Sequence, residues 1–230
     1  MVPLFSIIIP AHNEEKYLQK TIDSIIKQEM HDYEIIIVTN GCTDKTEEIA
    51  KKNIGNNIRI LSLPKANVCV ARNAGALNAQ GEILLFLDAD TQLVPDSLQK
   101  VKEGFTDEYS VATTKSSPDT DLLRYHLALA FKNAYNYLGV YKGCSGALIC
   151  RKKDFQQIGG YNPEMIVKEH HKLTTQLKAF GKYKYINCET ITSMRRYKQW
   201  GLGKATLFWI QQWIKDKQGK LKESRYETIR

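Results

Sequence analysis

Glu82-Ile83-Leu84-Leu85-Phe86-Leu87-Asp88-Ala89-Asp90 is an apolar run that ends in two carboxylates one residue apart. The run from Glu82 to Leu87 reads as a buried strand, so Asp88 and Asp90 arrive at its C-terminal end. In an open parallel sheet, ligands bind in the crevice beyond the strand C-termini. Two acidic side chains there repel each other unless a cation relieves them. A hard divalent metal, bound through a few carboxylates plus substrate phosphates, suits that place. Aspartate is also common in turns, so the tripeptide alone reads equally as an acidic turn or a metal site.

The preceding sequence decides the fold. Phe5-Ser6-Ile7-Ile8-Ile9-Pro10 reads as a first strand, stopped by proline. Leu18, Ile22, Ile25 and Ile26 recur at helical spacing, which predicts a helix roughly from Glu15 to Gln28. Glu34-Ile35-Ile36-Ile37-Val38 is a second strand, and such unbroken apolar runs mark strands covered on both faces, as in parallel sheets. Thr39-Asn40-Gly41-Cys42 is a turn, after which Thr43 or Asp44 can cap a helix carrying Ile49 and Ala50. Ile58 to Ser62 gives a third strand. Ala71, Ala74, Gly75 and Ala79 form a small-residue helix able to pack close to the sheet, closed by Gly81. Pro95 opens another helix. The β-α-β-α-β-α-β pattern over residues 5–90 implies an α/β fold with a doubly wound, mostly parallel sheet and right-handed crossovers.

The second half is less regular. Helices are expected from Leu122 to Leu138 and from Lys168 to Phe180, the latter closed by Gly181, and a Trp-rich one from Trp200 to Lys217. Strands are expected from Ser145 to Cys150, Tyr183 to Asn187 and Thr190 to Met194, with a turn at Gly159-Gly160. No repeat or linker interrupts the chain. It divides into one domain over residues 1–197, in two halves (1–115 and 116–197), and a C-terminal helical appendage over 198–230.

Composition narrows the classes. The 230 residues are 43% hydrophobic and 25% charged, which is ordinary globular content and argues against a disordered chain. Cys42, Cys69, Cys144, Cys150 and Cys188 are odd in number and form no CxxC pair. That argues against a disulfide framework and a zinc site, and suits a reducing cytoplasm. No leader is read before Phe5 and no apolar run reaches bilayer length, so a cytoplasmic location is expected. The net charge of +8 points to an anionic partner: nucleotide, nucleic acid or an acidic membrane surface. No nucleic-acid-binding signature accompanies it, so no nucleic-acid partner is expected.

In a parallel sheet the loops Pro10-Ala11-His12-Asn13-Glu14-Glu15 and Thr39-Asn40-Gly41-Cys42-Thr43-Asp44 lie on the same edge as Asp88 and Asp90. Each loop alone reads as caps and turns, whereas together with the acidic pair they favour a nucleotide pocket. Here the chain resembles family 2 of the inverting glycosyltransferases, with its GT-A fold. The resemblance rests on Ser6 through Glu14, Glu34 to Asp44, Ala71-Arg72-Asn73-Ala74-Gly75 through Asp90, Gly143-Cys144-Ser145-Gly146-Ala147, Gly159-Gly160-Tyr161, and Glu169 onward. It implies that Pro10, Ala11, Asn13 and Glu14 line the nucleoside, and that Asn40 stands where an aspartate commonly bonds the base. Arg72 would approach the nucleotide and Ala89 line the nucleotide sugar. Asp88 would face the ribose or the metal shell, and Asp90 would hold the metal, Mg²⁺ or Mn²⁺. Arg195-Arg196-Tyr197 resembles a basic motif that some relatives place over the donor diphosphate; a solvated basic loop is the alternative.

Two departures stand out. Thr39 and Asn40 replace a common pair of aspartates, and an amide offers a base both donor and acceptor. At Glu169-His170-His171-Lys172 relatives usually carry Glu-Asp, the aspartate being the general base, and here that position is His170. Leu173, Leu177 and Phe180 set the buried stripe of this helix, so His170 and Glu169 point towards the body and His171 away from it. Histidine is a competent base near neutral pH. His170 as base, Glu169 as base, and loss of activity all remain open from the sequence.

The resemblance therefore implies a transferase that moves a sugar, with inversion, from a nucleotide-diphosphate sugar to a saccharide hydroxyl or a polyprenyl phosphate. Tyr135, Tyr137 and Tyr141 could serve the acceptor side, although aromatics at helical spacing are usually core. The competing class is a nucleotide-sugar binding protein that has lost catalysis through Asn40, His170 and Lys172. A nucleotidyltransferase is disfavoured because no Gly-rich, Lys/Arg-bearing triphosphate loop follows the first strand. The segment 200–217 can pack on the domain, pair in a homodimer, or lie as a basic amphipathic helix on the inner face of the plasma membrane; packing is the commoner outcome.

Overall fold

A computed structural model describes residues 2–55, 57–139, 143–165 and 167–218; Tyr141 and residues 219–230 of the expected appendage lie outside them. In chain order the elements are β1 (Phe5–Ala11), α1 (Leu18–Ile26), β2 (Tyr33–Asn40), α2 (Thr46–Lys52), β3 (Ile58–Leu63), α3 (Val68–Asn78), β4 (Ile83–Phe86) and β5 (Thr91–Leu93). Then come α4 (Ser97–Gly104), β6 (Tyr109–Pro118), α5 (Leu123–Tyr137), β7 (Leu148–Arg151), α6 (Lys152–Gln157), α7 (Glu169–Leu177), β8 (Lys182–Thr192) and α8 (Arg195–Lys217).

The strands form one sheet in the order β3-β2-β1-β4-β7-β6-β8-β5. The β3-β2-β1-β4 half is parallel, as the unbroken apolar runs require. Beyond β4 the sheet turns mixed: β7 is antiparallel to both β4 and β6, β6 and β8 run parallel, and β5 closes the edge antiparallel to β8. Both faces of β1 are buried. Ile7 and Ile9 pack with Leu18, Ile22 and Ile25 of α1 on one side, and Ile8 packs with Cys69, Ala71 and Ala76 of α3 on the other. Each such isoleucine stabilises the fold by about 1.5–3 kcal/mol. The small residues of α3 matter because a Cβ on Gly75 would collide with the side chain of Ile8. That close approach aims Arg72, one turn earlier, along the sheet towards the strand ends.

Several boundaries differ from the sequence expectation. α1 begins at Leu18 instead of Glu15, because Glu14 N–H and Glu15 N–H donate to Thr46 Oγ1 and Asp44 Oδ2 across the sheet edge. Of the two expected caps of α2, Asp44 is the one that acts: its Oδ1 accepts from Thr46 N–H, the first of the helix, at 2.9 Å, although Lys45 holds the cap position. The strand expected from Ser145 starts at Leu148, since Ser145 N–H and Ala147 N–H are taken by the hydroxyls of Thr113 and Thr114. The two short strands expected after Tyr183 are one strand, β8, with an irregular register against β6. The last helix starts at Arg195, five residues earlier than expected, and is kinked at Gly201, where φ is 76°.

Candidate active site

The C-terminal ends of β1, β2 and β4 open on one edge, and their loops are tied to one another. Asn13 sits in the left-handed region at φ 54°, which asparagine tolerates. There its side chain accepts from Thr43 N–H at 2.8 Å and donates to Thr43 Oγ1 at 3.1 Å. Asn40 is buried and its amide is already used: Nδ2 donates to Ala11 O at 2.9 Å, and Oδ1 accepts from Asn67 N–H at 3.0 Å. The residue expected to meet the base thus braces the pocket wall. Pro10 and Ala11 lie within β1 behind that wall, and Ala89 is buried, its carbonyl accepting from Thr21 Oγ1 at 2.8 Å.

Two arginines organise the acids. Arg72, with a side chain only 3% exposed, donates from Nη2 to Asp88 Oδ1 at 2.8 Å and from Nη1 to Glu169 Oε1 at 2.9 Å. One guanidinium therefore joins the end of β4 to the first turn of α7. Arg195 grips both oxygens of Glu14 at 2.6 Å, reaches Asp90 Oδ2 at 3.0 Å and lies over the Tyr17 ring. The two aspartates of the opening tripeptide are thus sorted: Asp88 to Arg72, Asp90 to Arg195. Arg196 instead lies over the Trp200 ring on its own helix, so the structure brings Arg195 to the site and leaves its neighbour outside it.

The surroundings push these groups apart electrostatically. Burial drives the Asp90 carboxyl up to about 7, with the charges of Asp88 and Glu14 adding to it and Arg195 opposing. Desolvation on the floor of the cleft acts the same way on Asp88, but Arg72, through its charge and its hydrogen bond, together with His170 and Lys132 outweighs it and holds Asp88 below the usual carboxylate range. Glu169 is likewise lowered, since His170 and Arg72 together overcome its burial. Asp88 faces the open cleft with its side chain 53% exposed.

At the start of α7, His170 Nδ1 is 2.9 Å from the Tyr161 hydroxyl, and Nε2 is 3.8 Å from Glu169 Oε1. Both Glu169 and His170 point inward, as the helix spacing implied. Burial first, and the charge of Arg72 second, press the His170 imidazole down to about 4, so it is neutral at pH 7. Tyr161 is held by Asn73, which donates to its carbonyl at 2.8 Å and accepts from its N–H at 2.9 Å. The Gly159-Gly160 turn permits this docking: Gly160 has φ 75°, and a Cβ there would meet Asn73 and Phe155.

Two residues escaped the sequence reading. Tyr161 was visible only as part of a turn, although it touches His170 and lies under Arg72. Lys132 of α5 donates to Ser145 O at 3.0 Å, and its charge acts on both Asp88 and His170. Burial lowers the Lys132 ammonium below its ordinary value. No signal marked Lys132, because a lysine on a half-exposed helix looks like solvent-facing charge.

Among the described residues no group of three or more His, Cys, Asp or Glu side chains is arranged to hold a metal ion. Asp90 and Asp88 would offer a Mg²⁺ or Mn²⁺ ion hard oxygens, with substrate supplying more. The raised Asp90 carboxyl, crowded by Asp88 and Glu14, is an acid in need of more positive charge than Arg195 alone provides, which fits such an ion.

The mixed α/β sheet flanked by helices, with an acidic pair at the end of a central strand, is that of the GT-A fold. The sequence model of glycosyl transferase family 2 matches residues 6–159, and the chain belongs to that family. It is 30% identical over 200 residues to a hyaluronan synthase of Pasteurella multocida, covering 81% of this chain and 20% of that protein. A chondroitin synthase of Pasteurella multocida matches over the same shares at 30% identity, so this chain spans about a fifth of the length of those relatives. Among solved structures, a mannosyltransferase from Pyrobaculum calidifontis in complex with GDP-Man and Mn²⁺ superposes with a TM-score of 0.69 at 18% identity, covering 87% of this chain and 60% of that one. S. aureus TarS 1–349 in complex with UDP-GlcNAc gives 0.66 at 19% identity, covering 82% and 58%. Both share the fold.

Proposed function

We propose that the chain transfers a sugar, with inversion, from a nucleoside-diphosphate sugar to a hydroxyl of a saccharide acceptor. The observation that carries this reading is the Arg72 bridge. It joins Asp88, at the donor edge of the sheet, to Glu169 beside His170, so the two halves of a displacement reaction share one cation. In the reaction the bond from the anomeric carbon to the diphosphate oxygen breaks as the acceptor oxygen bonds that carbon from the opposite face. The acceptor proton goes to His170 Nε2.

That role requires the tautomer in which Nδ1–H donates to Tyr161 Oη, leaving the Nε2 lone pair free. Tyr161 then orients the ring, and Glu169 and Asp88 stabilise the imidazolium that forms. Glu169 is the poorer base, because its carboxylate already accepts from Arg72 and is lowered by it. The presence of a base also favours a hydroxyl acceptor over a polyprenyl phosphate, which is already ionised and needs none. Asp90 and Asp88 would hold Mg²⁺ or Mn²⁺, which when bound neutralises charge on the leaving diphosphate. Arg195 stands beside Asp90, and its positive charge would help neutralise the same phosphates while its N–H groups stay on Glu14 and Asp90. The enzyme would act at the cytoplasmic side of a membrane, where nucleotide sugars are made.

One observation favours a second reading, donor binding without turnover: an imidazole pressed down to about 4 is a weak base. A single experiment separates the two. Nucleoside-diphosphate sugars are screened with Mn²⁺ for thermal stabilisation, and the stabilising donor is then assayed for nucleoside diphosphate release with a panel of oligosaccharides. Acceptor-dependent release supports transfer. Stabilisation with no release over the panel supports the binding protein, and no stabilisation by any donor refutes both.

A further inference from the structure

Helix α8 carries its polar side inward and its apolar side outward. Gln212 is buried at 3% exposure beside Ala205, and Asp216 pairs with Lys168 at 2.9 Å, so this side faces the domain. Leu207, Trp209, Ile210, Trp213 and Ile214 are exposed, Leu207 at 56% and Ile210 at 49%. At 3.6 residues per turn, Leu207, Ile210 and Ile214 form one stripe with both tryptophans along its border, while Lys204 and Lys215 lie on the opposite flank. A helix of a water-soluble domain ordinarily does the reverse.

Helix α5 repeats the pattern. Tyr125, Leu129, Asn133 and Asn136 are buried, whereas Leu123, Leu127 and Phe131 recur every fourth residue on the outside, with Phe131 stacked on Tyr135 at 6.2 Å. The two helices are joined: Tyr125 and Leu129 cluster with Met194, Tyr197 and Leu202 at the start of α8. We propose that the outward faces of α5 and α8 form one docking surface for an anionic lipid membrane.

Charge selects that occupant. The only acidic residue in either helix is Asp216, and it is paired, whereas Arg124, Arg196, Lys198, Lys204 and Lys215 are basic, with Lys198 also 3.5 Å from Asp119. A second copy docked on this face would bring those cations against their equivalents, whereas acidic headgroups neutralise them. Within Gly219 to Arg230 the apolar Leu221, Tyr226 and Ile229 are scattered among charges. No described helix is long and apolar enough to cross a membrane. Apolar side chains edged by tryptophan and lysine instead suit a helix lying in the interface.

The surface is also connected to the chemistry. Lys168, which precedes the Glu169-His170 pair, is the residue that holds Asp216, and Arg195 lies in the first turn of α8. Docking would therefore set the acceptor side of the cleft against the bilayer, which makes a glycan carried on a lipid the acceptor class. That last step rests on the transferase reading; the docking does not.

The test uses the full chain and vesicles of phosphatidylcholine, with and without phosphatidylglycerol. The protein is expected to sediment with the anionic vesicles and to stay in solution with the neutral ones. Ile210→Ser combined with Trp213→Ser should weaken binding about tenfold or more, and Leu127→Ser with Phe131→Ser should weaken it less. Donor-induced thermal stabilisation should be unchanged in both, which shows that they fold and keeps the two readings apart: donor stabilisation absent with docking intact would sink only the lipid-linked acceptor. The docking proposal is overturned if wild-type protein ignores anionic vesicles or the α8 double variant binds as well as wild type. It is equally overturned if sedimentation velocity shows a dimer that the variants dissolve.

Discussion

Replacing His170 by Asn tests the acceptor-side chemistry twice, once through turnover and once through stability. The imidazole is pressed from an ordinary 6.5 down to about 4 by burial and by Arg72, so the folded protein binds its proton more weakly than the unfolded chain does. Between those two values the unfolded state holds more protons, and stability must fall as pH drops from about 6.5 towards about 4. At about 1.36 kcal/mol per unit, the full shift amounts to roughly 3 kcal/mol, an upper figure for a side chain that is not wholly sealed from water. Asp90 has the opposite slope, since an acid raised to about 7 favours the folded state on acidification. The wild-type curve alone is therefore a sum of opposing contributions, and the difference between wild type and His170→Asn removes the Asp90 contribution and leaves the imidazole with its pull on Glu169 and Asp88. Urea unfolding from pH 4.5 to 7.5 should show the variant gaining on wild type by about 2–3 kcal/mol at the acid end. In turnover the variant should lose about 10²–10⁴-fold in kcat, with little change in donor affinity. The acid limb of the wild-type kcat/KM profile should lie nearer 4 than 6.5. Parallel stability curves would refute the buried, Arg72-facing imidazole, and unchanged turnover would remove His170 from the base role.

Arg72→Met leaves Asp88 and Glu169 without their shared cation and should cost about 3 kcal/mol in urea unfolding, the order expected when one member of a buried ion pair is removed. Arg72→Lys should rescue it only in part, because an ammonium cannot reach two carboxylates with the geometry of a planar fork. Gly75→Ala places a methyl group against Ile8 and should destabilise by about 1–3 kcal/mol without changing donor specificity, read as a lower Tm. In Asp90→Asn the extra thermal stabilisation that Mn²⁺ adds to a bound nucleotide sugar should vanish; for wild type that stabilisation is about 2.7 kcal/mol at a hundredfold excess over Kd. An undiminished Mn²⁺ effect in that variant would take the metal role away from Asp90.

Sequence alone determined the parallel half of this protein. The isoleucine runs of β1 and β2 and the apolar run before Asp88 have no stable place except between two covering layers, and parallel strands bring their C-terminal loops to one edge by geometry. Asp88, Asp90, Asn13 and Glu14 were legible for that reason. The helix face of Glu169 and His170 was legible too, because a 3.6-residue period fixes direction relative to Leu173 and Leu177. Only the tertiary structure decided how the charges pair. That Arg72 spans Asp88 and Glu169, residues 16 and 97 positions away, or that Arg195 spans Glu14 and Asp90, depends on distances across the sheet that no local pattern encodes. The same holds for Asn40, whose amide is consumed by backbone from two other segments, and for α8, whose apolar residues face outward although their spacing equally allowed them to face in. Periodicity defines the faces of a helix, but which face meets the domain is set by what the domain offers it: here Lys168 for Asp216.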